Sequence, residues 1–196
     1  LVVGVDAVAR VAARLDGMKT LGLPEKLQEL ALAPRGLLIL SGPTGSGKST
    51  TMASMLNYRN QKLPGHIVTI EDPIEFIYKP CRSIFTQREI GIDTDNWKIA
   101  VQSAMRQAPD VVCIGEVRSE ESMKYALQLA QTGHLCVFTI HANTASQTIE
   151  RIINFYPEDR RQQVLIDLAL NLVGIIGQRL TIKKNRQRTA VTDLLL

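Results

Sequence analysis

Cysteine, aromatic residues and long apolar runs are all scarce in this sequence, and each shortage removes a class of protein. The three cysteines in 196 residues, Cys81, Cys113 and Cys136, are widely spaced and odd in number. They suit reduced core thiols better than a disulfide framework or a zinc site. No apolar run approaches the length of a membrane span, because the longest candidate, Leu165 to Ile176, is interrupted by Asp167 and Asn171. No basic-then-apolar signal opens the chain, and it starts at Leu1 rather than Met, which suggests a fragment or processed form. A cytoplasmic location is the expectation. Internal repeats and low-complexity segments are also missing.

Charge of one sign is not abundant either. The net charge is +4, and its densest patch runs from Lys183 to Arg188. Such a patch can contact nucleic acid or an anionic surface, or it can be the solvated turn of a hairpin between Thr181-Ile182 and Ala190-Val191. No aromatic interleaves these charges, so nothing is in place to stack bases. The turn is the favoured reading, and nucleic acid is not expected as a partner.

What is present is a phosphate-binding motif. Gly42, Pro43, Thr44, Gly45, Ser46, Gly47, Lys48 and Ser49, followed by Thr50, match G-x-x-x-x-G-K-[ST] at every fixed position. An apolar run, Leu37 to Leu40, precedes it, and a helix-compatible stretch begins near Lys48. That strand–loop–helix context is what the motif requires. The glycines let successive N–H groups turn inward toward a β-phosphate at a helix N-terminus. Lys48 would then reach the β/γ-phosphates, and the Ser49 hydroxyl would ligate Mg²⁺. The loop reads phosphates rather than bases, so ATP or GTP fits it.

Length and a 45% apolar fraction suit one α/β domain with a sizeable core. After a short helix over 24–32 come a strand at 37–41 and a helix to about Asn60. Further strands are expected at Ile67–Ile70 and Arg82–Gln87, and a helix over Asp95–Gln107, stopped by Pro109. Val111–Ile114 and Leu135–Ile140 are continuous apolar runs, as in strands buried on both faces. Between them, Met123, Ala126, Leu127 and Ala130 lie at helical spacing, with Ser119 and the acids Glu120 and Glu121 at the start. Helices around 145–154 and 158–173 and a closing hairpin complete the pattern. Alternation of this kind implies a mostly parallel sheet with flanking crossover helices.

Two acidic segments follow buried strands. Gly115-Glu116 ends one strand and brings Glu116 to the carboxyl edge, where ligands bind in open α/β sheets. Glu71-Asp72-Pro-Ile-Glu75 places three acids in five residues after another. Hydrolysis of a nucleotide needs carboxylates to hold magnesium and to orient or deprotonate water. His134 and His141 flank a single strand and lie too far apart to share one metal; by spacing alone, His134 is a turn histidine packed near the sheet. The chain lacks the Leu-Ser-Gly-Gly-Gln stretch of ABC-type ATPases.

Taken together, the phosphate loop at 42–50, the acidic box at 69–75, the Gly-Glu element at 110–116 and the histidine box at 132–144 resemble the secretion-type hexameric ATPases of type IV pili and type II secretion. Their order and approximate spacing match over roughly residues 20–196. Thr132-Gly-His-Leu-Cys136, the segment Arg151 to Arg161 and the lack of a four-cysteine module after Leu180 resemble the retraction branch, the PilT/PilU type and PilU in particular.

The resemblance implies a RecA-like motor domain at 35–196 that hydrolyses ATP with Mg²⁺ and powers pilus retraction and twitching motility. Residues 1–34 would be a linker and remnant of an absent N-terminal PAS-like domain, and the C-terminal helices of the family would be missing too. Glu75 would be the general base. Glu116 would position water and Mg²⁺ alongside Ser49, and His134 and His141 would link nucleotide state to a neighbouring subunit. Arg106, Arg118 and Arg151 would contact the γ-phosphate or a subunit interface. The implied partners are a homo-hexamer or a mixed hexamer with a PilT-type paralogue, and a pilus platform protein of the inner membrane, on whose cytoplasmic face the motor sits with only peripheral membrane association. Alternatives of the same resemblance are an extension or type II secretion ATPase, or a nucleotide-binding accessory subunit of a catalytic paralogue.

Overall fold

The computed structural model describes residues 15–182 and 188–196. The expected upstream element at 1–14 and most of the basic patch, 183–187, lie outside the described residues. Strand β1 (Gly36–Ser41) is buried along its whole length. Its side chains alternate between two cores: Leu37 and Ile39 join one cluster, Leu38 and Leu40 the other. A period of two on a strand covered on both sides explains why the sequence reads as an unbroken apolar run.

Strands β2 (Gly65–Glu71), β3 (Ser83–Glu89), β4 (Val111–Ile114), β5 (Leu135–Ile140), β6 (Leu172–Ile182) and β7 (Arg188–Leu195) complete one sheet in the order β3-β2-β4-β5-β1-β6-β7. All pairings are parallel except that of β6 with β7. Helices α1 (Lys26–Ala31) and α2 (Lys48–Lys62) cover one face, through Leu27, Leu30, Met52 and Leu56. Helices α3 (Trp97–Met105), α4 (Glu120–Gln131), α5 (Ala145–Ile153) and α6 (Arg161–Asn171) cover the other, through Ala104, Met123, Ile152 and Leu168. The expected mostly parallel sheet with flanking helices is the observed fold.

Local chemistry sets the helix starts. Ser119 caps α4 in a reciprocal box with Ser122, and Glu120 and Glu121 sit in the first turn, where the helix dipole favours negative charge. Asn96 and Thr144 accept backbone N–H bonds at the starts of α3 and α5.

Two expectations need correction. The helix expected over 158–173 is a 3₁₀ turn at Glu158–Arg160 followed by α6, and it ends at Asn171. From Leu172 the chain becomes β6, because β1 offers an unpaired edge that Leu172–Gly177 fills in parallel. The apolar stretch 165–176 therefore splits between helix and strand, and periodicity alone does not divide it. The closing hairpin exists but begins far earlier than its basic segment, with Ile182 opposite Arg188 at its end. Of the cysteines, Cys113 and Cys136 are buried thiols, whereas Cys81 is exposed rather than a core residue.

Candidate functional site

The parallel strands bring four loops to one edge. In space, the carboxyl ends of β2, β4, β5 and β1 lie side by side in that order. They carry respectively the acidic segment, Glu116, His141 and the phosphate loop. Residues scattered from 44 to 141, joined by Leu180 and Arg188 of the hairpin, therefore line one cleft of about 780 Å³.

The loop runs from β1 into α2, with Gly47 at φ 84° just before the first helical residue. A side chain is strained in that left-handed region, which accounts for the glycine. At Gly42, a Cβ would lie 2.3 Å from the Gln178 carbonyl oxygen and 2.5 Å from Ser46 Oγ, so only glycine fits between the loop and β6. Lys48 is buried, and its Nζ donates to the carbonyls of Gly42 at 2.9 Å and Pro43 at 3.0 Å. Burial pulls its pKa down, and the charges of Glu116 and Glu75 push back. A desolvated ammonium facing two carboxylates is a cation prepared for phosphate oxygens.

Behind the loop stands Gln178, 2% exposed on β6. Its Nε2 donates to Ser46 O at 2.7 Å, and its Oε1 accepts from Thr51 Oγ1 at 2.7 Å. One side chain thus ties the loop to the first turn of α2. Sequence reasoning did not single out Gln178. The available signal was a lone amide closing the apolar run Leu172 to Gly177, since a buried polar group needs partners.

Glu116 has both carboxylate oxygens engaged. Oε2 accepts from Arg118 at 2.6 Å, and Oε1 lies 3.0 Å from His141 Nε2. Burial works to raise its pKa, but the Arg118 hydrogen bond and the charges of His141, Arg118 and Lys48 outweigh it and hold the carboxyl below its usual range. Thr139 Oγ1 donates to Gly115 O at 2.6 Å and fixes the turn leading into Glu116. Glu75 accepts from Ser49 Oγ at 2.9 Å. Glu71 is buried beside it, and desolvation raises its pKa against hydrogen bonds from Thr69, the Glu75 N–H and Gln87.

Not every expected residue reaches this cleft. His134 precedes β5 while His141 follows it, and seven residues of extended chain separate them by about 20 Å. The His134 ring nitrogen sits 3.1 Å from both Thr132 Oγ1 and Leu129 O, as a turn histidine. Arg106 caps the C-terminal end of α3, exposed, and Arg151 lies exposed in the last turn of α5. Neither arginine is among the residues that line the cleft. Arg118 is brought in, and so are Lys98, which the sequence did not mark, and Arg188, read there only as the end of the basic patch.

A family model described as type II/IV secretion system protein matches residues 4–193. The chain belongs to this family. Over 188 residues it is 50% identical to the type IV pilus ATPase PilU of Pseudomonas aeruginosa, covering 95% of this chain and 49% of that protein. It is 39% identical over 194 residues to the retraction ATPase PilT of the same organism, covering 98% and 56%. A crystal structure of the pilus retraction motor PilT with bound ADP superimposes with a TM-score of 0.92 at 47% identity, over 95% of this chain and 54% of that one. The chain spans about half the length of the curated relatives it matches. Within this secretion-family fold, the cleft at the carboxyl edge is the place where the loop, both acidic segments and His141 meet.

Proposed function

We propose that the chain is the motor domain of a retraction-type pilus ATPase, hydrolysing ATP to drive mechanical work. One observation carries this reading: Lys48, Ser49, Glu75 and Glu116 face a single cleft in a chain closely similar to a retraction motor crystallised with ADP. The β- and γ-phosphates would lie against the backbone N–H groups of residues 44–50, with Lys48 Nζ turning from its own loop carbonyls to the phosphate oxygens. A hydroxyl and a carboxylate are hard oxygen donors suited to Mg²⁺, so Ser49 and Glu116 fit that ion. When bound, Mg²⁺ neutralises charge on the phosphates. Glu75 takes the proton from water as its oxygen attacks the γ-phosphorus and the bond to the β-phosphate oxygen breaks, leaving ADP and inorganic phosphate.

His141, in contact with Glu116, carries the state of the site toward the surface. His134, Arg106 and Arg151, all away from the cleft, are assigned to contacts with a neighbouring subunit. The working assembly is a hexamer, either of this chain or mixed with a PilT-type paralogue. It meets a pilus platform protein at the cytoplasmic face of the inner membrane. No described helix is long and apolar enough to cross a membrane.

Phosphate release from Mg-ATP, measured against protein concentration with Glu75→Ala as control, tests this. Turnover that rises faster than linearly and vanishes in the control supports a shared-site motor. ATP binding without turnover at any concentration, including after addition of a PilT-type protein, would refute hydrolysis by this chain.

A further inference from the structure

Glu75 sits on residues 72–82, a segment with no helix or strand, although a carboxylate acting on water must be held to a fraction of an ångström. Asn60 of α2 holds the far end of this segment, donating to Lys79 O at 2.9 Å and accepting from Cys81 N at 3.0 Å, and the Glu75 N–H makes a long bond of 3.4 Å to Glu71 Oε2. The anchors on either side of Glu75 come from β3. Ile74 N donates to Glu89 Oε2 at 2.9 Å, and Tyr78 N donates to Gln87 Oε1 at 3.0 Å. The same Gln87 amide donates from Nε2 to Phe76 O at 2.7 Å and reaches Glu71 Oε1 at 3.5 Å. Gln87 and Glu89 are two residues apart, so they project from one face of the strand. The groups they hold, on Ile74, Phe76 and Tyr78, follow the same spacing.

Glu75 therefore lies between two backbone positions pinned by side chains. The Tyr78 ring adds a stack on Phe85 of β3, with centroids 4.4 Å apart. Gln87 both accepts from and donates to this segment's backbone, as Asn60 does farther along, and it also reaches the buried Glu71.

We infer that Gln87 is a positioning residue: its amide clamps Phe76 and Tyr78 and so fixes the Glu75 carboxylate over the cleft. A paired donor and acceptor replaces the strand partner that an irregular segment lacks. A side-chain amide supplies both at once; a glutamate carboxylate offers only acceptors, and leucine offers neither. The role rests on the ATPase reading for its purpose, not for its geometry.

The test has two independent readouts on the full chain. In Gln87→Leu, amide exchange across Ile74 to Tyr78 should rise about tenfold or more while the β1, β4 and β5 amides keep their protection. The kcat for ATP should fall about ten- to hundredfold, with KM and ADP affinity within about twofold of wild type. Gln87→Asn, which keeps both a donor and an acceptor on a side chain one methylene shorter, should fall between the two, and it carries the test if the leucine variant does not fold. Unchanged exchange over 74–78, or a raised exchange rate with unaltered kcat, overturns the inference. If wild-type protein shows no turnover even with a PilT-type protein added, the ATPase reading fails, while the exchange comparison still decides the clamp.

Discussion

Replacing Gln178 by leucine removes two hydrogen bonds from behind the phosphate loop at once. Leucine has a similar volume, so cavity formation contributes little and the polar loss dominates. Ser46 and Thr51, the two partners, are 3% and 2% exposed. Losing its donor in that dry setting costs the Ser46 carbonyl about 1–3 kcal/mol. The Thr51 hydroxyl can swing to the Gly47 carbonyl one turn back, so its share is nearer about 1 kcal/mol. The sum, about 2–4 kcal/mol, is a large part of a typical stability of about 5–15 kcal/mol. With a urea slope of about 2 kcal/mol/M, the denaturation midpoint should fall by about 1–2 M. Thr51→Val should then cost about 1 kcal/mol less in the Gln178→Leu background than in wild type, because the bond to Gln178 is already gone and no buried Gln178 Oε1 is left stranded. ADP affinity should weaken in parallel, since the loop loses its tie to α2. A midpoint shift below about 0.3 M, or equal costs of Thr51→Val in both backgrounds, would refute the reasoning.

Lys48→Ala should abolish or severely weaken nucleotide binding by removing the one buried cation of the loop; isothermal titration with ADP and with ATP checks it, and an unchanged affinity would sink the phosphate-loop assignment. Glu116→Gln should leave ATP binding largely intact while stopping phosphate release, and a fully active variant would remove Glu116 from the mechanism. The Glu116 pKa is depressed in the folded chain, so its contribution to stability is complete above the unfolded value of about 4.3 and is lost as pH falls through the folded value. Urea melts should therefore show Arg118→Ala less stable than wild type at neutral pH, by a small amount because Arg118 is mostly exposed, with the difference closing in acid. A difference that widens in acid would contradict the ion pair.

Much of this was legible before any coordinates. The phosphate loop could be recognised because its chemistry needs glycine, lysine and a hydroxyl at fixed offsets, and those offsets are local. Glu116 could be placed at the carboxyl edge because a buried apolar run directly precedes it. The separation of His134 from His141 followed from the length of one strand. Residues whose role depends on distant partners were not visible. Gln178 is 132 residues from the Ser46 carbonyl it bonds, and Gln87 acts on a loop that has no pattern of its own. The end of α6 and the start of β6 share an apolar stretch, and the open edge of β1 decided where one became the other.

The sequence by itself determined the chemistry available: a phosphate cradle, acids after buried strands, and the order of elements that makes a parallel sheet. It could do so because short-range spacing and strand period are written in consecutive residues. Only the tertiary structure decided the spatial order of strands, and with it which acids meet Lys48 and Ser49. It also decided which arginines line the cleft and which amides hold the loops, because those depend on contacts between segments far apart in the chain.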